Sequence, residues 1–274
     1  MTTTLTRSTW SLEWEVETFN KLIAQYAPDV PLKKKEGEPR LPATPAEWDD
    51  FYRYRIAGAA HDLFIVQITA RAIADLFPDD PDVQLFLSRQ LGDDGAHSLH
   101  TRQRVLELSG QDPVAEIQQQ VQWHWEYLGD IPTRNWLSFL SWELHYELYI
   151  VAILLLTSRL TQINEPESAL FAGDRILPDE AVHRQDVVTW WRRTYEQLSP
   201  AQRTPLIAEL VEIDNDIQRR RNPYLHDFWQ RAQQALGFEV PEFEAIYDAF
   251  RREVLAVLLD LPVDQLPPLV SIKD

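Results

Sequence analysis

Apolar residues recur at intervals of three and four over long stretches of the chain, and no run of alternating β-branched residues breaks the pattern, so the elements it predicts are helices and not strands. The helix starts are marked by local chemistry. Thr44-Pro45-Ala46-Glu47 supplies an N-cap, a proline at the first helical position and a glutamate placed for a capping box. Asp80-Pro81, Asp112-Pro113 and Ser199-Pro200-Ala201-Gln202 repeat that logic, and Gly110 is placed as a C-terminal stop. These signals predict a first helix over 11–27, a Pro- and Lys-containing loop to Thr44, and long helices over 45–77, 81–109, 132–163 and 167–197. Shorter helices are expected over 113–128, 200–236 and 241–260. The turns Pro78-Asp79-Asp80 and Asn164-Glu165-Pro166 are too short to let their helices separate, so each joins an antiparallel pair. The expected fold is all-α: a four-helix bundle (45–197) with one long crossover connection. An N-terminal helix and loop (1–44) pack on it, and a C-terminal helical extension (198–274) belongs to the same domain.

Several of these apolar helices carry acids and histidines in their middles. The stretch around His61 and Asp62 is apolar on nearly every side, and a helix apolar all round is buried, so both side chains need partners. Glu143 and Glu147 lie four apart on a stripe with Leu140, Leu144 and Val151, and two like charges on one buried stripe repel unless a cation lies near them. Asp94 and His97 are three apart on one helix, and Glu180 and His183 repeat the spacing on another. Asp62 precedes Asp94 by 32 residues and Glu147 precedes Glu180 by 33. In a tight hairpin, positions equally far from the turn lie at one height, so all four acids are able to meet at mid-bundle.

This pattern closely resembles the di-iron carboxylate branch of the ferritin-like superfamily, in which each of two helices gives a carboxylate and each of the others gives Glu-x-x-His. The resemblance covers about 45–197 and implies a ferritin-like bundle with Asp62, Asp94, His97, Glu147, Glu180 and His183 as ligands of two metal ions. Aspartate stands at 62 and 94 where the family usually has glutamate, and His61 is a rival ligand beside Asp62. The resemblance also implies that Asp93 and Asp179, each one turn before a ligating histidine, receive that ring's other N–H. Glu143 is the candidate catalytic side chain, open between a seventh ligand, a proton relay and a substrate contact, and His100 is a candidate for the layer around the ligands.

A donor set of carboxylates and imidazoles suits iron or manganese, so two Fe ions or a Mn/Fe pair are implied, with O2 as co-substrate. The activity implied is an O2-activating oxidase or oxygenase acting on a small organic substrate, with electrons from the substrate or from an external reductase or ferredoxin. Two alternatives remain open: a non-catalytic scaffold or metal-binding subunit of an oxygenase complex, and a tRNA-modifying hydroxylase of the same superfamily.

Composition narrows the field. The chain has no cysteine, which removes disulfides, iron–sulfur clusters, zinc ribbons and thiol nucleophiles. A net charge of −17 disfavours nucleic acid and anionic membrane as partners. The clusters Lys33-Lys34-Lys35 and Arg219-Arg220-Arg221 are exceptions, read as solvated faces or loops. The N-terminal stretch has no apolar core of signal-peptide length, and the run Leu148–Leu156 is far short of a bilayer span, so a cytoplasmic protein with no membrane segment is expected. A homodimer is left open. The tryptophans, Trp142, Trp190 and Trp191 among them, are expected as core and pocket wall.

Overall fold

The protein is described here by a computed structural model covering residues 10–32 and 38–274, so Lys33-Lys34-Lys35 lies outside the described residues. Among those residues the regular elements are all helices, with no strand and one isolated bridge between Arg40 and Ile163. Helix α1 (Leu12–Tyr26) begins where the Ser11 hydroxyl accepts the Trp14 N–H. Helix α2 (Pro45–Arg71) starts at the Thr44/Glu47 capping box and runs on through a π turn, Ala72–Leu76. Helix α3 (Pro81–Ser109) is capped by Asp80 and ends at Gly110, whose φ of 73° is a left-handed stop that glycine adopts without strain. Helix α4 (Val114–Leu128) follows and packs against α2.

The second pair begins with α5 (Trp136–Leu160), capped by Asn135 after a 3₁₀ turn at Ile131–Thr133, so it is shorter at both ends than the 132–163 expected. Its partner is not one regular helix over 167–197. Helix α6 (Pro166–Phe171) passes through a π turn, Ala172–Ile176, into α7 (Leu177–Glu196), on one continuous path. The turn before α6 is held from below: Arg104 of α3 donates to both carboxylate oxygens of Glu165, at 3.1 and 2.8 Å, while Glu165 caps Glu167 and Ser168. Burial pushes the Glu165 carboxyl up, but these donors outweigh it and hold it down to about 2.

The helix expected over 200–236 is found at those bounds and is the longest described. Helix α8 (Pro200–Leu236) runs 37 residues through two internal prolines and packs against both α2 and α5, so the interior is closed by a fifth long helix beyond the four expected. Helix α9 (Phe243–Leu258) packs on α1, with Phe19 and Phe250 edge to face at 5.1 Å. The cluster Arg219-Arg220-Arg221 is only partly the solvated face expected. Arg219 and Arg220 are exposed, but the helical period turns Arg221 inward onto the Tyr146 ring, 3.6 Å from its centroid.

Helix α5 faces apolar neighbours on every side. Leu140, Leu144 and Leu148 belong to a core shared with α1, α7, α8 and α9, and Phe139, Trp142 and Tyr146 belong to one shared with α2, α3 and α4. By length and composition alone, Pro45–Leu76 and Trp136–Leu160 are apolar enough to cross a membrane. The most apolar window of the latter is 83% buried within the fold, as befits a core helix.

Candidate metal centre

The acids and histidines of three helices converge at mid-height. Asp94 and His97 come from α3, Glu147 from α5, and Glu180 and His183 from α7, and all five are buried. They form two triads, Asp94–His97–Glu180 and Glu147–Glu180–His183, each offering three ligand atoms within 4.8 Å of one another. Glu180 is common to both, and its two oxygens divide between them. Oε1 lies 3.8 Å from His97 Nδ1, and Oε2 lies 3.8 Å from His183 Nδ1. Asp94 Oδ1 likewise lies 3.8 Å from His97 Nδ1 and 4.0 Å from His183 Nδ1. These separations are too long for hydrogen bonds but within about 4.2 Å, the most that two ligands at ~2.1 Å from one ion can be apart.

The histidines are fixed from behind, and the pairing crosses the bundle. His97 Nε2 lies 3.1 Å from Asp179 Oδ2 on α7, and His183 Nε2 lies 3.3 Å from Asp93 Oδ2 on α3. The sequence reading paired each acid with the histidine one turn along its own helix. The structure corrects this, because α3 and α7 pack face to face and each ring's far edge points at the opposite helix. With Nε2–H donating to an aspartate, Nδ1 presents its lone pair to the carboxylates.

That leaves an electrostatic problem. Both oxygens of Asp94, Nδ1 of His97, Nδ1 of His183 and Oε2 of Glu147 are buried without a hydrogen-bond partner. Burial and the neighbouring carboxylates push Asp94 and Glu147 well above the usual carboxylate range. Burial alone would lower His183, but Glu180, Asp94 and Glu147 more than reverse this and hold it up to about 11. Glu180, despite burial, is held below its ordinary value by His183, His97 and Arg184. Orphaned, mutually repelling oxygen and nitrogen donors around one point need cations, and the two buried triads are able to hold metal ions.

The other predicted residues lie around this core. Asp62 is outside both triads, partly exposed, and 3.5 Å from His61 Nδ1. His61 stacks on Tyr146 at 5.0 Å and lies edge to face with His124 at 6.1 Å, outside both triads, with its Nε2 unpartnered. His100 stacks on Phe171 at 3.6 Å, outside the triads. Glu143 is buried behind Glu147, where Oε1 accepts from Gln90 Nε2 at 2.5 Å and burial pushes the carboxyl up to about 7. Trp142 and Trp191 are core residues, and no tryptophan lines the cavity described next.

Sequence reasoning missed Arg184 and Glu15. Arg184 Nε donates to Glu15 Oε2 at 3.0 Å, and Nη1 donates to the Glu180 carbonyl at 2.9 Å and lies 3.8 Å from Glu147 Oε2. Glu15 also accepts from Trp10 Nε1, so the N-terminal helix is tied directly to the cluster. The available signal was an acid on the buried stripe of α1 and an arginine directly after a motif histidine.

A cavity of about 510 Å³ opens beside the cluster between α2, α5 and the α6–α7 path, and it reaches His61, Asp62 and Glu180. Ile150, Ile153, Leu154, Ile176 and Leu177 form an aliphatic wall, and polar side chains such as Thr157, Ser158, Gln162 and Asn164 line the rest. The π turn Ala172–Ile176 forms part of the wall just before Glu180, and such turns re-aim the residues that follow. No protein-family model matches the chain, and no curated protein or solved structure is significantly similar to it.

Proposed function

We propose that the protein is a ferritin-like, non-haem di-iron oxidase or oxygenase that uses O2 on a small organic substrate. The observation that carries this reading is the pair of triads sharing Glu180, with unpartnered donor atoms turned inward and an apolar cavity at their edge. The donor chemistry fits iron: carboxylate oxygens with one imidazole per triad, no thiolate, and each imidazole oriented by an aspartate. Glu147, His183 and Glu180 would hold one ion, and Asp94, His97 and Glu180 the other. Bound iron would supply the redox chemistry with O2.

The chain's own groups have separable tasks. Asp93 and Asp179 fix the tautomer and direction of the two imidazoles. Arg184 offsets the charge of Glu147 and anchors the Glu180 backbone. The aliphatic walls exclude water and bind an apolar substrate body. Glu143, held up to about 7 and hydrogen-bonded to Gln90, is able to hold or release a proton on the side of Glu147 away from the cavity.

Anaerobic loading with ferrous iron should give about two ions per chain, and mixing with O2 should oxidise them. Glu180→Ala should abolish that oxidation. A chain that stays metal-free in excess ferrous iron, or oxidation unchanged in the variant, overturns the reading.

A further inference from the structure

Among the described residues, two cations that line the cavity have no carboxylate at ion-pair distance. Arg55 of α2 lines it, and its one side-chain hydrogen bond is a long donation from Nη2 to Thr101 Oγ1 at 3.5 Å. Asp62 and Glu165 act on Arg55 only from beyond ion-pair distance, and among the described residues no carboxylate lies within 4.0 Å of it. Arg159 of α5 also lines the cavity, is 8% exposed, and has Nη1 buried without a partner. The contrast with the other arginines nearby is sharp. Arg40 grips Glu47 through two nitrogens, Arg104 grips Glu165 in the same way, and Arg184 is bonded to Glu15. In a chain with 43 acids and 26 bases, two guanidinium groups with no carboxylate partner among the described residues are not forced by any shortage of carboxylates.

Space has been left beside them. Gly58 and Gly173 line the cavity from within helical segments, and a Cβ at either would meet nothing within 4 Å. Neither position has a positive φ that would demand glycine, and glycine costs a helix roughly 1 kcal/mol relative to alanine. What the two glycines provide is open volume next to the cluster.

We propose that the cavity binds an organic carboxylate with an apolar body, its anionic end on Arg55 and its body against the aliphatic wall toward Asp62 and Glu180. Naming this substrate class rests on the oxidase reading of the adjoining metal centre. A guanidinium fork matches a carboxylate in two parallel hydrogen bonds, and an anion arriving with the ligand removes the cost of an unpaired buried cation. The register sets the distance. Arg55 precedes Asp62 by seven residues and its partner Thr101 follows Asp94 by seven, so the guanidinium sits two turns, about 10 Å, above the plane of the carboxylates. The carboxylate is thus held away from the metal ligands, and the carbon chain reaches them. Arg159, farther along α5, supplies a second positive charge to the cavity lining.

Calorimetric titration of the full chain with decanoate, decanol and decylamine tests this, on metal-depleted and iron-loaded protein. Decanoate should bind one per chain, at least tenfold more tightly than decanol, with decylamine weakest. Arg55→Gln should lower decanoate affinity tenfold or more and leave decanol unchanged, whereas Gly58→Leu, which fills the cavity, should weaken both. If Arg55→Gln fails to fold, Arg55→Lys keeps the charge without the fork and should give an intermediate affinity. Equal affinities for acid and alcohol, or decanoate binding indifferent to Arg55→Gln, would overturn the proposal. Because binding is read without metal, selective decanoate binding by a chain that takes up no iron would sink the oxidase reading alone. Iron uptake and oxidation without carboxylate selectivity would sink this proposal alone.

Discussion

Asp93 on α3 pairs with His183 on α7 at 3.3 Å, and the reciprocal pair joins Asp179 on α7 to His97 on α3 at 3.1 Å. Each acid-x-x-His helix is therefore completed by the other, and neither is a finished half-site. Asp93→Asn should disturb the ring nitrogen resonances of His183 and leave those of His97 nearly in place, with Asp179→Asn doing the reverse. Metal affinity should fall about 10–100-fold in each case, the usual cost of removing an orienting carboxylate. Perturbation confined to the histidine on the mutated helix would contradict the crossed pairing.

Glu180 is shared between the triads and Glu147 belongs to one. The two substitutions should therefore differ in stoichiometry as well as affinity. Glu147→Ala should retain close to one ion per chain, held by Asp94, His97 and Glu180, while Glu180→Ala should retain almost none. Metal analysis after gel filtration, with circular dichroism to verify the fold, separates the two, and equal losses would refute the division of roles.

His145 lies on α5 next to Glu143's stripe but faces α8, where Nδ1 is 3.0 Å from Asp214 Oδ1 and Asp214 also accepts from Arg251. Burial lowers His145 to about 4, more than Asp214 raises it. A histidine at about 4 when folded and about 6.5 when unfolded leaves the unfolded chain binding the extra proton between those values. Stability from this group is complete above about pH 6.5 and is lost as pH falls toward 4, on the order of 3 kcal/mol in all. Urea unfolding between pH 7 and 4 should show this slope, and His145→Gln should flatten it. An unchanged slope in the variant would assign the acid sensitivity elsewhere.

Arg221 is 1% exposed, none of its three guanidinium nitrogens has a hydrogen-bond partner, and it lies 3.6 Å from the Tyr146 ring centroid. Cation–π attraction of about 2 kcal/mol does not cover the cost of burying an unpaired charge. Arg221→Met, which keeps most of the volume, should leave the melting temperature equal or higher, whereas Tyr146→Ala should lower it and cost about 3–5 kcal/mol of stability. A Met variant destabilised by more than about 2 kcal/mol would mean that the stack orders the interior in a way its hydrogen bonding does not reveal.

The sequence by itself determined the helices, their caps and the residues that had to be compensated. Thr44/Glu47, Asp80 and Gly110 act locally, within one turn, so their effect is written in adjacent residues. Equal spacing in two hairpins likewise brought Asp94, Glu147 and Glu180 to one height, because helical rise is fixed. Relations between helices were not legible in the same way. That Asp62 stands outside the triads, that Asp93 and Asp179 exchange histidines, that α8 closes the interior and that Arg184 ties Glu15 to Glu147 all depend on rotation and crossing of packed helices. Those are set by the summed packing of side chains distant in sequence, and a 3.6-residue period states which face is apolar without stating which neighbour it meets.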